Sequence, residues 1–149
     1  MRRQISTIFC DDIRQEVGGK LSLMGVYSGV MFLQALPATL PKLCVSLTAL
    51  TSTECPFQKI SFKILKGDDL LVENDLDANQ LIESSKNQDG SMDDGKDKIQ
   101  LINMALVFSP LNIEEECVIR VRVYADGEEL RGPGLTIKLA DSELLGLTK

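Results

Sequence analysis

The sequence predicts an all-β chain folded as a two-sheet antiparallel sandwich, immunoglobulin-like or C2-like. Three observations carry that expectation. Apolar residues alternate with a period of two in short runs, turn residues fall between the runs, and no helical stretch is long enough to serve as a βαβ crossover. About eight to ten strands at a spacing of roughly ten residues fit two packed sheets. At 149 residues the chain has the size of one domain, so 1–149 is read as a single sandwich with its own core.

The elements follow in order. Gly18-Gly19 marks a turn before an apolar run over residues 20–27, and Pro37 and Pro41 bracket a connection that a central strand would not accept. In the run from Leu43 to Ala49, the side chains of Leu43, Val45, Leu47 and Ala49 share one face. Ile60, Phe62 and Ile64 repeat the pattern, with Ser61 and Lys63 turned outward. The turn Lys66-Gly67-Asp68-Asp69 leads into residues 70–73, and residues 75–83 read as a short helix capped by Asn74 or Asp75, with Leu76 inward. Residues 84–98 are almost free of apolar side chains and read as a mobile loop. Met104, Leu106 and Phe108 join the core from the strand that follows.

Ile119, Val121 and Val123 form an apolar face in the next run, which ends in the tight-turn dipeptide Asp126-Gly127. Residues 60–70 and 119–130 both run strand, acidic glycine turn, leucine, as two hairpins meeting the same packing demand. Gly132-Pro133-Gly134 lacks the lysine and hydroxyl residue of a phosphate loop, and reads as a turn or bulge before Leu135 and Ile137. Residues 140–149 are a short tail with three leucines, suited either to docking on another protein or to packing on the sandwich itself.

Composition bounds the function. No histidine occurs, which excludes Ser-His-Asp and Cys-His nucleophile systems, histidine-liganded metals and a histidine proton shuttle. The net charge of −6 and the pI near 4.7 set the chain against phosphate backbones, so nucleic acid is not an expected partner. No apolar run reaches about 18 residues, so no membrane insertion is expected. Cys10-Asp11-Asp12 interrupts the start of the chain before signal-peptide length, which points to the cytoplasm. Cys10, Cys44, Cys55 and Cys117 lack a C-x-x-C pair and read as free thiols packed as small hydrophobes.

Residues 9–27, Phe9-Cys10-Asp11-Asp12-Ile13-Arg14-Gln15-Glu16-Val17-Gly18-Gly19-Lys20-Leu21-Ser22-Leu23-Met24-Gly25-Val26-Tyr27, are the most distinctive stretch. They resemble an uncharacterised bacterial family known only as a domain of unknown function. Its members open with a strand ending in an acidic pair, followed by a Gly-Lys-Leu-Ser-Leu-x-Gly-x-Tyr strand. The likeness continues in patches at Leu40-Pro41-Lys42-Leu43 and Pro56-Phe57. The resemblance implies a β-sandwich and brings no activity, cofactor or substrate.

Candidate sites are few. Asp11, Asp12 and Glu16 place three carboxylates within six residues beside Arg14, the raw material of a cation site or an acid/base pair, or else a solvated connection. Asp68, Asp69 and Asp126, with Glu128, Glu129, Asp93, Asp94 and Asp97, lie in turns that a calcium-binding sandwich could use, though none spells a calcium loop. Arg120, Arg122 and Lys138 are expected on the outward face of neighbouring strands with Tyr124, and Lys63 beside them, as a partner-binding patch. The leading expectation is a non-enzymatic protein-binding or assembly module without a cofactor, whose partner is another protein or a second copy of itself. The alternatives are a cation-dependent module and a carboxylate acid/base enzyme.

Overall fold

A computed structural model describes residues 2–77, 79–80 and 99–141. Alternation decides its layers. Directly opposed residues of paired strands share a face, so the register carries each apolar set to one side. Among the described residues there are twelve strands: β1 (Gln4–Gln15), β2 (Leu21–Val26), β3 (Val30–Leu33), β4 (Ala38–Leu40), β5 (Leu43–Ser52), β6 (Lys59–Lys66), β7 (Asp69–Asp77), β8 (Ile99–Phe108), β9 (Leu111–Ile113), β10 (Cys117–Ala125), β11 (Glu128–Arg131) and β12 (Leu135–Leu139). The excess over the eight to ten expected comes from β3, β4, β9 and β11, which have three or four residues each.

The first sheet has the order β2-β1-β5-β8, and the second runs β3-β12-β10-β6-β7 with β11 also on β10. A small β4–β9 pair stands apart from both. The pairing is antiparallel except between β3 and β12, which run parallel. These two strands are far apart in sequence, so no single crossover has to join them, and the expected all-antiparallel pairing gives way there.

Phe9, Leu43, Val45, Leu47 and Ala49 of the first sheet meet Ile60, Phe62, Ile64, Ile119, Val121, Val123, Leu135 and Ile137 of the second in one buried core. Met104, Leu106 and Phe108 pack against it half-buried. Each fully buried aliphatic side chain contributes about 1.5–3 kcal/mol, so this cluster is the main source of stability.

One expected element is corrected. Residues 75–77 are the end of β7, because the pairing with β6 runs on through Ser61↔Asp75 to Lys59↔Asp77. Ladder bonds to β6 outweigh local capping preference there. The helical turn begins later. Asp77 Oδ1 accepts the backbone N–H of Gln80 while Gln80 Oε1 accepts that of Asp77, a reciprocal cap with Asn79 and Gln80 helical. The loop expected at 84–98 and tail residues 142–149 lie outside the described residues.

Among the described residues, two of the sheet edges differ in charge. β7 presents Asp69, Glu73, Asp75 and Asp77, whereas β8 carries no charged residue along its ten positions.

Candidate functional site

The N-terminal hairpin separates the two aspartates that sequence places side by side. Consecutive strand residues point to opposite faces. Asp11 turns toward β2, where it faces Gly25 between the paired Cys10↔Val26 and Asp12↔Met24. Its Oδ1 accepts the Tyr27 hydroxyl at 2.5 Å. Burial, then the hydrogen bond to Asp11 and its charge, push the Tyr27 phenol well above its ordinary range, so the hydroxyl stays protonated and donates. Gly25 has φ of +66°, and a Cβ there would stand 2.7 Å from Asp11 Cγ and closer still to Oδ2. The glycine, the aspartate and the tyrosine of this stretch are thus one packing unit.

Asp12 points the other way and forms an ion pair with Lys42 at 3.0 Å. That hydrogen bond holds the Asp12 carboxyl below the usual range and raises the Lys42 ammonium. Glu16 closes the hairpin with its backbone, its N–H donating to the Lys20 carbonyl at 2.8 Å. Asp11 and Asp12 therefore serve separate contacts and do not form a facing carboxylate pair.

The hairpin also curls back. Gln15, Gly19 and Leu21 line a cleft of about 240 Å³ together with Ser46, Asn103, Met104 and Ala105 of β5 and β8. Its tip therefore lies beside the outer face of the first sheet.

The acidic turns lie at different ends of the second sheet. β6 and β10 pair with Ile119 opposite Lys66 and Ala125 opposite Ile60, so Asp126 stands a strand length from Asp68 and Asp69. Asp126, at φ of 50°, accepts the backbone N–H of Lys59 at 2.8 Å and that of Gln58 at 3.2 Å, and pairs with Arg3 at 2.7 Å. Burial raises its pKa, but the two N–H donors and the guanidinium outweigh that and leave it below the ordinary value. Its role is to clamp β1, β6 and the β10–β11 turn together.

Asp68 and Asp69 line a cleft of about 270 Å³ with Lys66, Glu114, Glu115, Glu116 and Cys117. A cation of the chain already occupies this neighbourhood. Lys66 Nζ reaches Glu114 at 2.9 Å and donates to the Asn112 carbonyl at 2.7 Å, and Glu116 accepts the backbone N–H of Leu139. Among the described residues, no three Asp, Glu or Cys side chains converge as metal ligands.

The third group is brought together on one face. Arg120, Arg122 and Tyr124 lie opposite Leu65, Lys63 and Ser61 across the β10–β6 pairing, on the outer side of the second sheet. Lys138 belongs to the same side on β12 and is opposed by Phe32 of β3. Lys63 sits over the Tyr124 ring at 5.6 Å and pairs with Glu73 at 3.4 Å, while Arg122 and Arg131 share Glu129. Arg120 and Lys138 are exposed, and neither has an ion pair or hydrogen bond among the described residues. Phe32 is 43% exposed beside Lys138, and Tyr124 36%.

Two features were not foreseen from sequence spacing. Tyr27 completes the Asp11 contact, for which its place two residues after Gly25 was the available signal. Cys10 and Cys44, 34 residues apart, are direct cross-strand partners on β1 and β5.

Residues 5–138 match the model of a family of unknown function, DUF6941. The chain belongs to that family. No curated protein and no solved structure matches it.

Proposed function

We propose that this member of DUF6941 is a non-enzymatic protein-binding module, and that it engages an acidic partner through the outer face of its second sheet. One observation supports this above the others. On a chain of net charge −6, the outer face of one sheet carries Lys63, Arg122 and Arg131 with exposed Tyr124 toward one end of β10, Lys138 with exposed Phe32 beyond the other end, and Arg120 between them. Glu73 and Glu129 neutralise part of that charge, and Arg120 and Lys138 have no ion pair among the described residues. Cations flanked by aromatic side chains suit a carboxylate-rich surface, with charge steering the encounter and Tyr124 and Phe32 supplying contact area.

The test is charge reversal. Wild type and the Arg120→Glu/Lys138→Glu variant are compared by calorimetric titration with a polyglutamate peptide, and by capture of proteins from a lysate of the source cells. The variant's melting temperature serves as the fold control. The expected result is weak, salt-sensitive binding of the peptide and at least one captured acidic protein, both lost on reversal. Equal capture by wild type and variant, or binding that high salt leaves unchanged, overturns the proposal.

A further inference from the structure

Cys10 and Cys44 stand directly opposite each other at the end of the β1–β5 pairing. Opposed residues of antiparallel strands have Cα atoms about 4.5 or 5.5 Å apart, within the span a disulfide needs. As directly opposed residues, their side chains share one face of the sheet. Cys10 Sγ lies 3.5 Å from the Asp12 carbonyl, and Cys44 Sγ lies 3.8 Å from that of Asp11. Both residues are fully buried and both thiols are free. Their position in the topology is particular, because Cys10 is the residue at which β1 leaves β5 and pairs with β2 alone.

We propose that Cys10 and Cys44 are a reversible dithiol–disulfide pair, a redox clasp at the root of the N-terminal hairpin. The oxidant is hydrogen peroxide. One thiolate attacks the peroxide O–O bond, giving a sulfenic acid and releasing water. The second thiol attacks that sulfur, the S–S bond forms, and the sulfenic oxygen leaves as a second water. Two thiols are oxidised, hydrogen peroxide is reduced to two waters, and a dithiol reductant reverses the change. Burial raises both thiols, so the attacking thiolate is scarce at neutral pH and the reaction quickens as pH rises. Beyond Cys10 the hairpin is anchored to the sheet less firmly than β1 itself, and its local opening gives peroxide access.

The test uses the full chain carrying Cys55→Ser and Cys117→Ser, reduced and then treated with hydrogen peroxide at pH 7 and pH 8.5. Samples are alkylated in denaturant and digested with trypsin. Residues 4–14, which hold Cys10, and residues 43–59, which hold Cys44, are then separate peptides. The expected result is an intact mass lower by two hydrogens and a single crosslink between these peptides, formed faster at pH 8.5. The oxidised chain carries no disulfide to a second chain, melts several degrees higher and returns to the dithiol with dithiothreitol. Wild type, whose 43–59 peptide also holds Cys55, gives the same Cys10–Cys44 link when the crosslinked peptide is fragmented. Three results overturn the proposal: sulfinic acid at either cysteine without the link, a link only between two chains, or both thiols still alkylated after exposure at pH 8.5.

Discussion

Replacing Gly25 with alanine adds one methyl group at a position with two objections to it. The backbone there has φ of +66°, and holding an L side chain in that region costs about 1–2 kcal/mol. The new Cβ would also stand 2.7 Å from Asp11 Cγ, so the carboxylate has to move and the Tyr27 hydroxyl loses its acceptor. A hydrogen bond to a charged group contributes about 1.5–3 kcal/mol, and roughly 1–2 here because Asp11 is exposed. Gly25→Ala should therefore destabilise the fold by about 2–4 kcal/mol, or roughly 5–15 °C of melting temperature for a domain of this size. Urea unfolding of wild type, Gly25→Ala, Asp11→Ala and the double variant closes a cycle. In the Asp11→Ala background the carboxylate is gone and only the Cβ of residue 11, at 3.0 Å, still crowds the new methyl, so the glycine change should cost little beyond the backbone part of about 1–2 kcal/mol. An equal cost in both backgrounds would refute the idea that Asp11 and Gly25 form one unit. A neutral Gly25→Ala would refute the left-handed backbone as well.

Three further outcomes follow from the same contacts. The raised phenol of Tyr27 gives stability that is complete below the unfolded value near 10 and is lost as pH climbs above it. Tyr27→Phe should therefore flatten the alkaline arm of stability against pH by up to about 1.4 kcal/mol per pH unit, measured by urea melts between pH 9 and 11. Asp126 has the opposite sign: its depressed carboxyl stabilises the fold above about pH 4 and loses that contribution as pH falls through its native value. Asp126→Asn keeps a side chain that tolerates positive φ, and should cost about 1–2 kcal/mol at pH 7 and progressively less as pH falls below about 4. Gly134→Ala would bring a Cβ to 2.7 Å from the Ile119 carbonyl oxygen, which is backbone and cannot swing away, so thermal melts should show a loss of about 2 kcal/mol or more.

The sandwich was legible in the sequence because its signal is local. Leu43, Val45, Leu47, Ile60, Phe62, Ile64, Ile119, Val121 and Val123 announce their face by alternation, and all are buried. Asp126-Gly127 announced its turn, with positive φ at both residues. The end of β7 was missed because the Lys59↔Asp77 pairing is decided by a partner strand that local propensity cannot see. The candidate sites were harder to read for the same reason. Asp11 and Asp12 look like a pair only until the pleat sends one to Tyr27 and the other to Lys42. Spacing along the chain says nothing about Cys10 meeting Cys44, since that contact depends on which strand lies beside β1. Arg120, Arg122 and Tyr124 were legible as a group because they alternate on one strand, while Arg131 and Phe32 join them only through the pairings of β11 and β3.

The unequal sheet edges have a consequence for self-association. The carboxylates along β7 would face their own kind if a second copy approached there, and like charges across a new ladder oppose its formation. β8 offers ten uncharged residues with no proline or glycine to spoil the ladder. Two copies meeting edge to edge through β8 satisfy each other by a two-fold axis and consume the edge in doing so. Growth through these two edges therefore terminates at a pair, because the β7 side stays unreceptive.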